Sequence, residues 1–247
     1  DRVLTAGFIS MGVNVVLVGP LPTPALTILS KSLRADFSVM ITASHNPYQD
    51  NGLKFFSGTG YKITAEEEKK IEDFFFNYEF DNFKIKPFNY GKAVRLKDAI
   101  GRYSEALKQN TFKNLDYTKL KVVLDCANGA AYKVAPEVLF EIGVELDTLG
   151  DKPNGVNINE KCGSLFPEKA SKLVKKRKSD LGICLDGDGD RLIIIDEKGK
   201  PIFGEELIYI LAKFYLKNKI IKKGSTIVTN EIANCLLYTS PSPRDPW

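Results

Sequence analysis

The chain has 247 residues, of which 43% are hydrophobic and 27% are charged, a composition typical of a globular protein with one large or two ordinary domains. The net charge of +4, from 35 Lys and Arg against 31 Asp and Glu, is too weak to indicate a nucleic-acid-binding protein. No apolar run approaches the roughly 20 residues that span a bilayer, and no signal-peptide pattern is present, so we expect no membrane partner.

The opening of the sequence and its cysteines give two further expectations. Residue 1 is Asp rather than Met, and a helix-like stretch follows at once from Val3 to Met11, so we expect a chain that lacks its natural beginning. The four cysteines form no Cys-x-x-Cys pair, and two of them, Cys126 and Cys184, end apolar, strand-like runs. We therefore expect buried free thiols in a reducing, cytoplasmic location.

In the first part of the chain, strand-like and helix-like segments alternate. Apolar runs predict strands over 13–18, 37–41 and 53–56, and amphipathic spacing predicts helices over 3–11, 22–33 and 65–78. From about residue 82 to 92 the pattern lapses, with Pro87 and Gly91 as interruptions. We place a domain boundary there, so the first predicted domain spans residues 1–90.

The second part repeats a β-α-β-α-β order. Strands are predicted over 120–126, 144–149, 181–185 and 191–197, and helices over 96–111, 131–142, 167–178 and 205–218. Apolar strands that alternate with helices indicate an α/β fold, here two α/β domains with mixed sheets covered by helices. The second predicted domain spans residues 91–203.

The chain changes character towards its end. Residues 204–235 are predicted to begin a third, truncated domain, because Gly204 to Leu207 fits a helix N-terminus and Thr226 to Thr229 fits the start of another α/β unit. Residues 236–247 are rich in Pro and Ser and have no hydrophobic period. We expect them to be a disordered or foreign tail.

Three aspartates separated by single glycines, Asp186, Asp188 and Asp190, follow the predicted strand 181–185. This spacing turns three carboxylates to one side of a gently curved loop, at the carboxyl end of a strand, where ligands usually bind. Their mutual repulsion calls for a cation, and hard oxygen ligands select Mg²⁺, Ca²⁺ or Mn²⁺. An EF-hand is excluded because its sixth position requires glycine and holds Arg191 here.

A second loop, Thr42–Pro47, presents a serine hydroxyl after the predicted strand 37–41. Ser44 and His45 are not the nucleophile and base of a hydrolase, because neighbours in sequence usually point apart and the chain has 1 His. The sequence also contains neither a G-x-S-x-G elbow nor a P-loop. A serine that can carry phosphate and a cage that can hold a divalent cation are complementary parts of a phosphoryl-transfer site. We therefore expect the Ser44 hydroxyl to face the three aspartates.

Two long motifs carry a resemblance to a known family. The segment from Ile41 to Phe56 resembles the phosphoserine loop of the α-D-phosphohexomutases, and Asp186 to Arg191 resembles the metal-binding loop of that family. Two further segments, Leu124 to Tyr132 and Asn154 to Ser164, are most similar to its phosphoglucosamine mutase branch. The similarity runs in register from residue 1 to about residue 234.

The resemblance implies four domains around a central cleft and a reversible mutase reaction through phosphoserine and a bisphosphorylated sugar. In that branch the reaction interconverts glucosamine 6-phosphate and glucosamine 1-phosphate for cell-wall precursor synthesis, with glucosamine or glucose 1,6-bisphosphate as activator. By matching motifs, Ser44 is the phosphoserine, and Mg²⁺ is held beside its phosphate by Ser44, Asp186, Asp188 and Asp190.

The same matching assigns three further active-site residues. Lys54 corresponds to the family's lysine after the Asn-Gly pair, which is implied to be an acid/base and a stabiliser of charge. His45 and Arg191 are implied to be supporting catalytic residues. A lysine in such a place can move a proton if burial lowers its pKa.

Several family segments have no match in this chain. They are the Arg-x-Gly-Thr-type opening, most of the third domain with its sugar loop, and the fourth domain with its phosphate clamp, so we expect little or no mutase activity from this chain alone. Two alternatives stay open: a phosphomannomutase/phosphoglucomutase, and a non-catalytic Mg²⁺-binding phosphoprotein module. The sequence favours a phosphosugar as partner and leaves the oligomeric state and the phosphorylation of Ser44 open.

Overall fold

The computed structural model describes residues 1–77, 89–112 and 115–228. The helices of these residues are α1 Arg2–Ser10, α2 Thr23–Leu33, α3 Ala65–Asn77, α4 Ala99–Gln109, α5 Val134–Glu141, α6 Glu168–Arg177 and α7 Gly204–Lys217. Their strands are β1 Val15–Leu17, β2 Phe37–Ile41, β3 Leu53–Ser57, β4 Ala93–Arg95, β5 Lys121–Asp125, β6 Glu145–Leu149, β7 Leu181–Leu185, β8 Leu192–Ile195 and β9 Pro201–Ile202.

The second half of the chain forms a mixed sheet of 5 strands in the order β6-β5-β7-β8-β9. Strand β5 is parallel to both β6 and β7, whereas β8 and β9 continue the sheet antiparallel. Helix α6 packs on β5 and β7 through Ala170 and Val174, which share a core with Val123, Cys184 and Ile195. The predicted mixed, helix-covered α/β fold is confirmed here, and β7 delivers the chain into the aspartate loop.

The described residues of the first half contribute to two strand pairs. Strands β2 and β3 form an antiparallel pair in which Met40 lies opposite Lys54. Strands β1 and β4 form a parallel pair in which Val15 lies opposite Ala93. Since β4 lies beyond residue 90, this pair joins residues on both sides of the predicted domain boundary, which itself stays a prediction.

A shared hydrophobic core joins the two halves. The α2 region packs with α4 and α5. The buried residues of this core are Leu21, Ala25 and Leu29 from the α2 region, Ala99 and Tyr103 from α4, and Val134 and Val138 from α5. Burial of a large apolar side chain stabilises the fold by roughly 1.5–3 kcal/mol. The serine loop follows β2, which comes after α2, and the aspartate loop follows β7, which lies beside β5. Because α2 shares this core with α5, the helix after β5, the core sets the serine loop of the first half against the aspartate loop of the second.

The boundaries of the predicted helices and strands fall within three residues of those observed, and the largest deviations are at two helix starts. The predicted helix 96–111 begins at Ala99, and the helix predicted from residue 131 begins at Val134, after a turn in which Ala127 and Asn128 have positive φ. The predicted helix start at 204–207 is confirmed by α7.

The C-terminal predictions are only partly covered by the structure. Residues 226–228 have no regular secondary structure, so the expected start of another α/β unit is wrong for those three residues. Residue 229, Cys235 and the predicted tail 236–247 lie outside the described residues, as does the stretch 78–88. None of the described helices has both the length and the apolar character needed to cross a membrane.

Candidate active site

The aspartate loop begins where β7 ends and gathers three carboxylates. Asp186, Asp188 and Asp190 each offer one oxygen within 4.8 Å of the others. Asp186 and Asp188 are almost completely buried, whereas Asp190 is exposed at the rim. Gly189 has a φ of +66°, a backbone conformation that a side chain would strain, and this turn brings the third carboxylate back towards the first two.

Ser44 meets this loop from the first half of the chain. Its Oγ donates a hydrogen bond to Asp186 Oδ2 at 3.1 Å, and its backbone N–H donates to Thr42 Oγ1 at 2.8 Å. The other Asp186 oxygen, Oδ1, accepts the backbone N–H groups of Asp190 and Arg191, each at 3.1 Å. The serine hydroxyl therefore faces the aspartates, as expected, and the carboxylate that it contacts is held by its own loop.

Lys54 reaches the same cluster from β3. Its Nζ donates to Asp188 Oδ2 at 2.7 Å and to Asp190 Oδ2 at 2.9 Å. Burial lowers the pKa of the Lys54 ammonium, but the hydrogen bonds and charges of the two carboxylates outweigh burial and raise that pKa above its usual value. The condition considered for proton movement, a pKa lowered by burial, is therefore not met: two anions face this lysine.

Asp188 is the most heavily constrained carboxylate of the cluster. Besides Lys54, two threonine hydroxyls donate to its Oδ2: Thr23 Oγ1 at 2.8 Å and Thr42 Oγ1 at 3.0 Å. Burial alone would raise the pKa of Asp188, but these donors and the Lys54 charge hold it below its usual value. Asp188 therefore carries its negative charge in the interior.

The electrostatic environment of Asp186 differs. Burial raises the pKa of Asp186, and the negative charges of Asp188 and Asp190 add to that rise. Hydrogen bonds from the Arg191 backbone and the Ser44 hydroxyl oppose the rise without cancelling it. An added positive charge at this cluster would relieve the repulsion that Asp186 experiences.

The cluster fits a divalent cation on one specific observation. Asp188 Oδ1 is buried and has no hydrogen-bond partner among the described residues, although Oδ2 of the same carboxylate accepts three hydrogen bonds. A buried, unpaired carboxylate oxygen is costly unless a cation or donor meets it. The donor set consists of hard oxygens, which suits Mg²⁺, Ca²⁺ or Mn²⁺.

His45 and Arg191 also lie together at this site. Arg191 Nη1 lies 2.9 Å from His45 Nδ1, and Arg191 Nε lies 3.9 Å from Asp190 Oδ1. This contact links the residue after the serine to the residue after the third aspartate. All the residues proposed from the sequence are therefore brought into one cluster.

Three contributors were not identified from the sequence. Thr23 and Thr42 anchor Asp188, and Asn159 donates from its side-chain amide to the backbone carbonyls of Ser44 and Asn46, at 3.0 and 2.9 Å. Thr42 lies inside the segment from Ile41 to Phe56, and Asn159 lies inside the segment from Asn154 to Ser164. Thr23 gave no signal beyond its place between two prolines at the start of a helix.

Comparison with known families assigns most of the chain. Residues 1–82 match the model for phosphoglucomutase/phosphomannomutase, alpha/beta/alpha domain I. Residues 101–199 match the model for alpha/beta/alpha domain II of the same group. The serine loop lies in the first match and the aspartate loop in the second.

Individual relatives agree with this assignment. The phosphoglucosamine mutase of Geobacter metallireducens is 50% identical over 229 residues, which are 93% of this chain and 51% of that protein. The phosphoglucosamine mutase of Zymomonas mobilis is 49% identical over 229 residues, again 93% of this chain and 51% of that protein. The chain therefore spans about half the length of the curated relatives it matches.

A solved structure confirms the fold. A crystal structure of a phosphoglucomutase/phosphomannomutase family protein from Burkholderia thailandensis superposes with a TM-score of 0.74 at 25% sequence identity. The superposition covers 88% of this chain and 48% of that chain. The α/β/α architecture of two successive domains is thus common to both proteins.

Proposed function

Because this chain belongs to the α-D-phosphohexomutase family and matches its domains I and II, we propose that it carries the phosphoserine half of a phosphosugar mutase site. In this proposal Ser44 holds the phosphoryl group that is exchanged with a sugar phosphate. The enzyme class is an intramolecular phosphotransferase. The observation on which the proposal mainly depends is the 3.1 Å contact between Ser44 Oγ and Asp186, inside a cluster of three carboxylates.

The proposed transfer has two symmetric halves. In the first, a sugar hydroxyl attacks the phosphorus on Ser44: a sugar O–P bond forms, the Ser44 Oγ–P bond breaks, and the hydroxyl proton passes to a base. In the second, Ser44 Oγ takes the other phosphoryl group of the bisphosphorylated sugar, and the sugar oxygen is reprotonated. Such transfers depend mainly on positioning and on stabilising charge at the phosphoryl oxygens.

The residues around Ser44 suit that requirement. Lys54 is a cation held between Asp188 and Asp190, so it can stabilise negative charge on the transferring group. Its raised pKa argues against a role as the base. Arg191 and His45 form a second polar pair at the rim and are proposed as supporting residues.

Mg²⁺ is the proposed metal. Asp186, Asp188 and Asp190 would hold it, together with an oxygen on Ser44, and the unpaired Asp188 Oδ1 is an oxygen available to it. When bound, the ion would neutralise charge on the phosphoryl group and orient it. The residues of this chain fix the carboxylates, present the serine and exclude water from the buried side of the cluster.

We propose glucosamine 6-phosphate and glucosamine 1-phosphate as the substrate pair, with glucosamine or glucose 1,6-bisphosphate as activator. The support is the near-50% identity to proteins named phosphoglucosamine mutase. A phosphomannomutase/phosphoglucomutase is the second candidate, because the matching family models carry that description. The chain spans about half of its relatives, so we expect little or no complete turnover from it alone.

The remaining assignments are also proposals. The proposed domain limits 1–90 and 91–203 are consistent with the two family matches, because the first match covers residues 1–82 and the second covers residues 101–199. The third domain, 204–235, is proposed from the sequence alone. A cytoplasmic location agrees with Cys126, Cys162 and Cys184, which are buried and free. A phosphosugar remains the proposed partner.

A half-reaction assay tests the choice of sugar. A version of the chain extended to the full length of its relatives is first phosphorylated by glucose 1,6-bisphosphate with Mg²⁺, and loss of the phosphate is then followed with glucosamine, glucose and mannose 6-phosphates as competing acceptors. Fastest loss with the glucosamine phosphate supports the proposal, and fastest loss with either of the others supports the second candidate. A stable phosphoserine that no sugar phosphate removes would instead indicate a non-catalytic module.

A further inference from the structure

The loop that carries Asn159 reaches across the active site and binds the serine loop. Asn159 lies between β6 and α6, is 8% exposed, and donates from Nδ2 to the carbonyl oxygens of Ser44 and Asn46. These two carbonyls lie on either side of His45. One side-chain amide from the second half of the chain therefore holds the backbone of the serine loop at two points.

Asn159 is fixed by its own half of the molecule. Its backbone N–H donates to Ala127 O at 2.9 Å, and the neighbouring Asn157 carbonyl accepts the Asn128 side-chain amide at 3.2 Å. Its φ of +57° is a conformation that Asn tolerates better than most residues. The backbone that carries the amide is thus held by residues 127–128, within the second half of the chain.

The serine loop needs an external restraint of this kind. Ser44 has a φ of +54°, an uncommon backbone conformation for a residue with a side chain. Its carbonyl also lies so close to Gly187 that a Cβ there would come within 2.6 Å of it. The Ser44 carbonyl is therefore enclosed between the Asn159 amide and the aspartate loop, and this contact directs the hydroxyl to Asp186.

We propose that Asn159 is a positioning residue for phosphoryl transfer at Ser44. By holding the carbonyls of Ser44 and Asn46, it keeps Ser44 Oγ aligned with the aspartate loop while the Oγ–P bond forms and the sugar O–P bond of the donor breaks. In this step the hydroxyl of Ser44 gives up its proton, and the departing sugar oxygen takes one up. The inference rests on the proposed function. It gives the Asn154–Asn159 segment a role in the transfer step that is separate from substrate binding.

Hydrogen exchange tests the anchoring without any assumption about activity. Asn159→Asp keeps the size of the side chain but replaces the N–H donor with oxygen, and Asn159→Gly removes the amide while tolerating the positive φ. Asn154→Ala is the matched control, because Asn154 is exposed and its side chain bonds within its own loop, to the Val156 N–H. We expect amide exchange over residues 42–50 to rise about tenfold or more in both Asn159 variants, the size expected for two lost hydrogen bonds.

The rate of Ser44 phosphorylation by glucose 1,6-bisphosphate and Mg²⁺ tests the effect on transfer. At saturating donor we expect the rate in both Asn159 variants to fall by about tenfold to a hundredfold. The donor concentration that gives half the maximal rate should stay within about twofold of wild type, since a positioning residue acts on the transfer step. A residue with a purely structural role would shift the melting temperature without this separation of rate from half-saturation.

Each outcome has one meaning. Unchanged exchange over residues 42–50 overturns the anchoring, and raised exchange with an unchanged phosphorylation rate overturns the positioning role. Equal effects of Asn154→Ala would also contradict the proposal. If the wild-type chain accepts no phosphate, the proposed function fails and the positioning role fails with it, while the exchange data still decide the anchoring.

Discussion

At the scale of single residues, the positive charge of Lys54 offsets part of the negative charge of the three aspartates. The ammonium contacts two carboxylates, and one oxygen of Asp188 has no partner among the described residues. A lysine in this place is a fixed positive charge beside a predicted divalent cation. It therefore disfavours the metal electrostatically while stabilising the carboxylates when the metal is absent.

Replacing Lys54 tests this balance. Lys54→Met should tighten Mg²⁺ binding by about thirtyfold or more, because a unit positive charge about 4 Å from a divalent ion repels it by about 2 kcal/mol even at the dielectric constant of water. Ser44 phosphorylation should become slower in the same variant, because charge on the phosphoryl group loses a partner. Isothermal titration measures the affinity, and Lys62→Met, which breaks an exposed ion pair with Glu68, is the control. Weaker or unchanged Mg²⁺ binding in Lys54→Met would contradict this account.

The buried thiols give a prediction for alkaline pH. Burial and the charge of Asp125 raise the pKa of Cys126 and of Cys184 to about 12 each, whereas an unfolded thiol ionises near pH 8.5. Above that pH the unfolded chain releases protons that the folded chain keeps, so the free energy of unfolding falls by about 1.4 kcal/mol per pH unit for each thiol. This loss should begin near pH 9 and continue towards pH 12.

Urea unfolding between about pH 9 and pH 11 measures that slope. The free energy of unfolding of Cys184→Ala should fall with rising pH less steeply than that of wild type, by the contribution of one thiol, about 1.4 kcal/mol per pH unit. Parallel curves for the two proteins would show that Cys184 does not keep its proton in the folded chain.

The residues of the site were predictable to different degrees. Ser44 and the aspartates could be identified because their chemistry is concentrated in short, continuous motifs. Thr23 and Asn159 could not, since their contacts join residues 165 and 115 positions apart, and their residue types are common in turns and helix starts. The direction of the Lys54 pKa shift was also beyond the sequence, because it depends on which carboxylates the folded chain places beside the ammonium.

At the scale of elements, the site depends on a close approach of two loops. A Cβ on Gly187 would lie 2.6 Å from Ser44 O, 2.7 Å from Asn159 Nδ2 and 2.9 Å from Ile158 Cδ1. These neighbours belong to the serine loop and to the loop before α6. A side chain at Gly187 would therefore push both loops away from the aspartates.

Gly187→Ala should lower stability by about 1–3 kcal/mol, the usual cost of overpacking, and should strongly reduce Ser44 phosphorylation. Gly101→Ala is the matched control, because nothing lies within 4 Å of the place that the added methyl group would take on α4; this change should raise stability by about 0.5–1 kcal/mol. Urea unfolding and intact mass measure the two effects. Normal phosphorylation of Gly187→Ala would show that the loops need not touch.

Elements with long, continuous apolar runs were predicted well. Strands β2 and β7 match the predicted ranges 37–41 and 181–185, because each is a short, mostly apolar run between polar or turn-forming segments. Strand β4 was missed: it has three residues, all exposed, and its partner β1 lies 78 positions earlier, so no local pattern reveals it. Strand β9 was also missed, because it has two residues, which are too few to show a hydrophobic period.

At the scale of the whole molecule, one hydrophobic core brings the two loops together. Leu29, Tyr103 and Val138 come from three helices, α2, α4 and α5, and pack in a single cluster that spans the predicted domain boundary. The serine loop and the aspartate loop therefore meet through helices that lie outside the site. The chain spans about half the length of its relatives, and within that half the Ser44 hydroxyl and the Asp186 carboxylate lie in contact, as the proposed phosphoryl exchange requires.

Phosphate on Ser44 is the most direct test of the central claim. The chain is incubated with glucose 1,6-bisphosphate, with Mg²⁺ or with a chelator, and the product is analysed by intact mass and peptide mapping; Ser44→Ala is the control. We expect one phosphate per chain, located on Ser44, formed with Mg²⁺ and not with the chelator. A chain that stays unmodified with Mg²⁺, or a phosphate that persists in Ser44→Ala, would contradict the account.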